Sequence, residues 1–227
     1  MPKIGTLNEK PLHEALKQWY AQPGDLFEVP VAGFVVDIVR GDLLIEIQTR
    51  NFTAIRRKLE KLTVDHPTRL VYPIPREKWI VKLAADGESP VSRRRSPKHG
   101  AFEHVFDELI RIPALLAHPN FSIELVLIEE EEVRRYDGVR GWRRGGWVTD
   151  ERRLLRVLER RILSEPSQMS SFLPDTLVEP FSVTDLATVL AIPRRLAQRM
   201  VYCLRSIGCV APVGKRANAI LYARRSV

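Results

Sequence analysis

Asp37 and Glu46 are the two residues of this chain whose types and spacing best fit a reaction. They lie in the segment GFVVDIVRGDLLIEIQ, residues 33–48, which reads as two apolar strands joined by a tight turn at Gly41-Asp42. A two-residue turn sets Arg40 opposite Leu43, Val39 opposite Leu44, Ile38 opposite Ile45 and Asp37 opposite Glu46. Like charges directly across a strand pair repel, and a charge buried without a partner is costlier still. A divalent metal ion is the usual reason a protein keeps such a pair, because carboxylate oxygens suit Mg²⁺ or Mn²⁺. Gln48 falls two residues beyond Glu46, on the same strand face. A competing reading places both acids on the wet side of an antiparallel sheet. The apolar neighbours Phe34, Val35, Val36, Ile38 and Val39 weigh against it, since both faces beside Asp37 are apolar.

Such a pair needs a frame. Residues 8–21, NEKPLHEALKQWYA, predict a helix with Leu12, Leu16 and Trp19 as its apolar stripe and Pro11 in its first turn. Pro23-Gly24 ends it. Strands follow over 26–31, 33–40 and 42–49. Asn51 is placed to cap a helix with Phe52, Ile55, Leu59 and Leu62 on one face. Arg56, Arg57, Lys58 and Lys61 lie mostly on the other. A strand at 69–74, RLVYPI, then requires a crossover beside the hairpin. The succession helix, strand, strand, strand, helix, strand predicts an α/β fold, a mixed central sheet flanked by helices. Residues 76–83 read as further strand and 86–100 as a loop. That loop carries Arg93, Arg94, Arg95 and Lys98, either as a phosphate clamp or as a solvated surface. Residues 101–117 read as an amphipathic helix interrupted at Pro113, 121–128 as a strand of the same sheet, and Glu129 to Glu132 as a solvated acidic run.

The helical Glu14, Asp37 on one strand and Glu46-Ile47-Gln48 on the next together resemble the PD-(D/E)xK nuclease superfamily, which includes restriction enzymes and archaeal Holliday-junction resolvases. The likeness covers residues 8–75 and extends to the following helix and the RLVYPI strand. It implies a restriction-endonuclease-like core and metal-dependent phosphodiester hydrolysis. Asp37, Glu46 and the Ile47 backbone carbonyl would ligate Mg²⁺ or Mn²⁺, with Glu14 reaching in through water and Gln48 beside the attacking water; Glu9 is the alternative to Glu14. Gln48 departs from the usual Lys, since glutamine hydrogen-bonds water without carrying charge. Arg50 or Lys58 is near enough in sequence to supply the cation. Nucleases of this class often form a homodimer.

The net charge of +8 is unevenly spread. Residues 1–132 hold 18 Lys/Arg against 20 Asp/Glu, whereas residues 133–227 hold 18 against 8. A basic excess confined to one part of a chain points to a polyanion, most often nucleic acid. Residues 134–147, RRYDGVRGWRRGGW, interleave arginines with Tyr136, Trp142 and Trp147. This predicts a linker or β-hairpin whose tryptophans pack on the next domain and some of whose arginines, Arg143 and Arg144 among them, meet phosphates. Beyond it the pattern predicts a helix at 150–164, a short helix at 184–191 capped by Ser182 or Thr184, and a second helix from Pro193 to Ile207. Strands at 209–213 and 219–224 finish the chain. Two helices and a hairpin with a basic tip read as a winged helix-turn-helix. At about 100° per residue, Leu196, Met200, Cys203 and Ile207 share the back of the second helix, and Arg194, Arg195, Gln198, Tyr202 and Arg205 its front. Lys215 and Arg216 lie at the hairpin tip. Long polar donors in front and an apolar back are what a recognition helix needs.

Three units are therefore expected: a nuclease-like domain over 1–132, an Arg/Trp-rich linker over 133–149 and a winged-helix DNA-binding domain over 150–227. No apolar run is long enough to span a membrane, and there is no signal-peptide pattern. Two cysteines six residues apart, with no ligands at zinc spacing, read as reduced thiols of a cytoplasmic protein. The functional expectation is a Mg²⁺-dependent DNA endonuclease targeted by a basic winged helix. The alternatives are a DNA-binding regulator with an inactive nuclease-like domain, and an interaction protein whose winged helix binds protein.

Overall fold

The computed structural model describes residues 11–84, 86–138, 143 and 145–225. Its order is α1 (Pro11–Tyr20), β1 (Leu26–Val31), β2 (Phe34–Arg40), β3 (Leu43–Ile47), α2 (Phe52–Leu62) and β4 (Thr68–Leu83). Then come β5 (Pro90–Arg95), α3 (Phe106–Leu109) between two 3-10 turns, β6 (Phe121–Tyr136), β7 (Trp147–Leu163) and α4 (Pro166–Met169). The chain ends with α5 (Val183–Val189), α6 (Arg194–Ser206), β8 (Val210–Arg216) and β9 (Ala219–Arg224).

The central sheet runs β1-β2-β3-β4-β6-β7, with β5 also on β4. β1, β2 and β3 form an antiparallel meander. β3 pairs with β4 in parallel, and β4 with β6. A parallel neighbour requires a crossover, and α2 provides it. β3 covers β4 only from Thr68 to Val71, and β5 pairs with β4 from Leu83 back to Trp79. The sheet therefore has a wide lower half and a narrower arm of β5, β4, β6 and β7. The carboxylate pair lies at the step between them, where β3 ends.

Helices cover both faces. Leu12, Leu16 and Tyr20 of α1 pack on Ile38, Ile45, Ile47, Val71, Val126 and Ile128. Tyr20, rather than the expected Trp19, completes that stripe; Trp19 is exposed. On the other face Phe52, Ile55 and Leu59 of α2 pack against Leu70 and Ile74 in a core that continues into the C-terminal helices through Leu186, Leu196, Met200 and Cys203. Each such side chain contributes about 1.5–3 kcal/mol when fully buried.

Several elements differ from expectation. Residues 150–164 do not form a helix: β7 spans Trp147–Leu163 and pairs antiparallel with β6 along its length. The expected linker over 133–149 thus contains the ends of two long strands, Val133 to Tyr136 and Trp147 to Thr149. The physical reason is bulging. The partners of Ile128 and Glu130 are Val157 and Leu154, so one extra residue sits between them on β7. Leu154 and Val157 both face the α1 core at a spacing of three, which imitates a helical period. Residues 90–95 of the expected loop are strand β5. The expected helix at 101–117 is broken into α3 and 3-10 turns over Phe102–Val105 and Pro113–Ala117. Asn51 precedes α2 in the left-handed region without a side-chain cap bond. The Glu108 carboxylate instead accepts the Phe52 N–H at 2.9 Å, placing negative charge at the helix N-terminus.

In the C-terminal part Ser182 and Asp185 form a capping box at α5, and β8 and β9 make a separate two-stranded sheet. Cys203 and Cys209 are buried and not disulfide-bonded. No helix among the described residues is long and apolar enough to cross a membrane.

Candidate active site and nucleic-acid interface

The β2–β3 ladder stops at Ile38 and Ile45, one step before Asp37 and Glu46 would pair. The reason is visible in the hydrogen bonds. The Asp37 carboxylate accepts the Ile47 N–H at 2.7 Å, standing in for a backbone acceptor as the strands part. His13 of α1 lies 3.2 Å from the same Asp37 oxygen. Burial pushes Asp37 upward, but the hydrogen bond and charge of His13, the Ile47 N–H and Lys58 together hold it below the usual carboxylate range.

Glu46 is only 2 % exposed. Lys58 reaches over from α2 and places its ammonium 2.5 Å from Glu46 Oε1. The same ammonium donates to the Val35 carbonyl at 2.6 Å. Glu46 Oε1 nonetheless takes no well-directed hydrogen bond. Burial first, then the neighbouring Asp37 charge, push Glu46 up to about 7 against the pull of Lys58. The half-buried Asp37 and the buried Glu46 thus share one environment, one held ionised and the other close to its protonation point.

The other expected site residues are placed differently. Glu14 engages Lys17 at 3.2 Å and Gln18 at 2.9 Å on its own helix, and the α1 residue that meets Asp37 is its neighbour His13. Glu9 lies outside the described residues. Gln48 donates its amide to the carbonyls of Arg50 at 2.6 Å and Asn51 at 3.2 Å, bracing the turn into α2. Of the two cations expected to make up for the missing lysine, Arg50 and Lys58, it is Lys58 that stands beside the acids. The Ile47 side chain is buried beneath α1. Nothing in the spacing of HEALKQWY distinguishes His13 from Glu14, because a rotation of one residue about the helix axis decides which one points at Asp37.

Among the described residues no group of three or more His, Cys, Asp or Glu is arranged to hold a metal. Mg²⁺ is usually held by one or two carboxylates plus waters and substrate phosphate. Asp37 and Glu46 supply two hard carboxylates, with Lys58 ion-paired to Glu46 Oε1.

The arginines sort into paired and unpaired. Arg93 lies 2.9 Å from Glu131 and 3.9 Å over the Trp79 ring. Arg95 meets Glu77 at 2.6 Å. Arg94 is exposed, with no carboxylate partner among the described residues. The acidic run is not solvated as expected. Glu130 is fully buried between Lys78, at 2.9 Å, and Arg152. Glu132 takes Lys78 at 3.0 Å and Arg134 at 2.8 Å. Arg93 and Arg95 are therefore paired with carboxylates and lie on strand β5 rather than on a loop. Arg143 is exposed, and Arg144 and Trp142 lie outside the described residues. Trp147 packs edge-on against Tyr136 at 5.6 Å, its partner across the β6–β7 ladder, rather than on the next domain.

On α6 the expected split holds. Arg194, Arg195, Gln198, Tyr202 and Arg205 are exposed, whereas Leu196, Met200, Cys203 and Ile207 are buried. Arg194, Gln198, Tyr202 and Arg205 border a groove of about 300 Å³ whose far wall is Asn218, Ala219 and Ile220 of the hairpin. No carboxylate among the described residues pairs with Arg194, Arg195, Arg205 or Lys215. Arg216 lies 2.5 Å from Asp185.

Comparison with known proteins adds a family. A protein of Treponema pallidum (strain Nichols), described as an uncharacterized protein, is 33% identical over 223 residues, covering 96% of this chain and 86% of that protein. No solved structure matches the chain. Residues 10–164, which hold the whole central sheet and the carboxylate pair, match the family described as a domain of unknown function (DUF8091), and the chain belongs to that family.

Proposed function

We propose that this chain is a Mg²⁺-dependent endodeoxyribonuclease of PD-(D/E)xK type whose C-terminal helices and hairpin act as a winged helix on DNA. The observation that carries the reading is the meeting of Asp37, Glu46 and Lys58 at the end of β3. A buried Glu46 beside a half-buried Asp37, with one lysine, is a costly arrangement for stability alone, because the charges lose hydration. A bound Mg²⁺ would polarise the scissile phosphate and make the attacking water more acidic. The chain's own groups do the rest. Asp37 is kept ionised by His13 and the Ile47 N–H, ready to ligate. Lys58, fixed by the Val35 carbonyl, supplies the positive charge that Gln48 lacks and opposes the negative charge building on the phosphate oxygens. The unpaired cations of α6 and the hairpin tip supply affinity through phosphate contacts.

Incubating supercoiled plasmid with the protein and Mg²⁺ or Mn²⁺ tests this. Nicking is expected for the wild type and is lost in Asp37→Ala and Glu46→Ala, with DNA binding retained. If the wild type binds DNA and nicks no substrate, the regulator with an inactive nuclease-like domain replaces this reading; the turning of Gln48 toward backbone carbonyls is the observation that favours it. Absence of DNA binding even at low ionic strength would favour a protein-binding role for the C-terminal unit instead.

A further inference from the structure

We propose a second nucleic-acid contact: the groove between the β1–β2 turn and α2 holds an unpaired strand and leads it to the carboxylate pair. The inference rests on the hydrolase reading for its purpose, though not for its test. The groove, about 670 Å³, is lined by Ala32, Gly33 and Phe34 on one side and Arg57, Glu60 and Lys61 on the other. Phe34 is half-buried and belongs to none of the three packed apolar clusters of the molecule. Its ring lines the groove instead. Arg57 and Lys61 lie one helical turn apart, so their heads are neighbours. Both are exposed, and neither has a carboxylate partner among the described residues. Glu60, the acid of the groove, is engaged by Arg56 at 2.7 Å.

The wall is low because the chain turns tightly there. Ala32 and Gly33 have φ of 50 and 83, the left-handed pair that a two-residue hairpin turn requires, and neither projects a large side chain. Lys58 links the groove's neighbourhood to the site. Lys58 follows Arg57 on α2, bonds the carbonyl of Val35, which follows Phe34, and reaches Glu46. Along β2, Phe34 and Asp37 are separated by roughly 10 Å at the usual rise of a strand. Cations for the backbone and an aromatic face for a base are the two elements of single-strand binding. A duplex keeps its base faces stacked and cannot offer one to Phe34.

The test is binding in EDTA, where no metal-dependent cleavage occurs, measured by fluorescence anisotropy on the full chain. The background carries Arg194→Glu and Arg195→Glu to silence the C-terminal face, and circular dichroism checks folding. The probes are labelled oligothymidylate and its duplex with oligodeoxyadenylate. Phe34→Ala is expected to weaken single-strand binding roughly 5- to 100-fold and leave duplex binding unchanged. Arg57→Ala with Lys61→Ala is expected to reduce the salt slope for the single strand by about 1.4, two phosphates at about 0.7 each. An unchanged slope, or equal loss on both probes with Phe34→Ala, overturns the proposal. Neither result depends on cleavage, so failure of the groove and failure of the hydrolase reading are separable.

Discussion

Replacing Glu46 with Gln should make the metal-free protein more stable at alkaline pH and leave it nearly unchanged in acid. Glu46 is buried, and its folded value of about 7 stands against an ordinary value of 4.5. Between those values the folded state binds more protons than the unfolded one, so stability falls as pH rises. Below about 4.5 the carboxyl is neutral in both states and nothing is lost; above about 7 the full cost is present. A difference of about two and a half pH units corresponds to roughly 3 kcal/mol. Gln mimics the neutral acid. It should therefore match wild type at pH 5 and exceed it at pH 8 by about 2–3 kcal/mol, or roughly 4–12 °C in Tm for a chain of this size. Urea or thermal melts in EDTA at the two pH values measure it, and other titrating groups cancel in the difference. Mg²⁺ at pH 8 should close the gap by stabilising wild type alone, since metal binds the ionised pair and not the amide. A wild-type-minus-variant difference that is equal at pH 5 and pH 8 would refute the claim that Glu46 carries a buried, poorly compensated charge.

Other consequences follow from single contacts. Lys58→Met should lower plasmid nicking by roughly 10²–10³ while the fold persists, with partial recovery when Gln48→Lys is added; an unchanged single-turnover rate would exclude Lys58 from the reaction. Arg194→Ala and Arg195→Ala should each reduce the magnitude of the duplex-DNA salt slope by about 0.9 if each meets a phosphate, as read by anisotropy titrations across a salt series. Gly100→Ala would bring a Cβ to 2.4 Å from the Pro75 carbonyl oxygen and 2.8 Å from Ile74 Cγ2, so denaturant melts should show a loss of about 1–3 kcal/mol. Ala191, at φ 51 just past the end of α5, should accept Gly with a gain of about 0.5–1 kcal/mol, and a destabilised variant would contradict that assignment.

Local rules reach a long way in this chain. Periodicity and punctuation give the succession from α1 to β4, because each of those elements carries its own signal: alternation across the Gly41 turn, a four-residue apolar stripe in α2, and Pro23-Gly24 after α1. The apolar back and polar front of α6 are legible for the same reason. Pairing of distant strands is not local. β7 is rich in Leu, Arg and Glu, good helix formers, and only its ladder to β6, with the extra residue between Leu154 and Val157, makes it a strand. The acidic run could not be told from solvated surface until Lys78 and Arg152 came to meet Glu130 from β4 and β7.

At the site the division is similar. Sequence alone determined that Asp37 and Glu46 would lie on adjoining strands, since a two-residue turn leaves little choice of register. Only the tertiary structure decided what accompanies them. The rotation of α1 brings His13 rather than Glu14 to Asp37, and the crossing of α2 over β2 delivers Lys58 to Glu46. Helix rotation and crossing are set by the packing of Leu12, Leu16, Phe52 and Leu59 against the sheet, and such packing is a sum over many distant contacts that no short run of residues encodes.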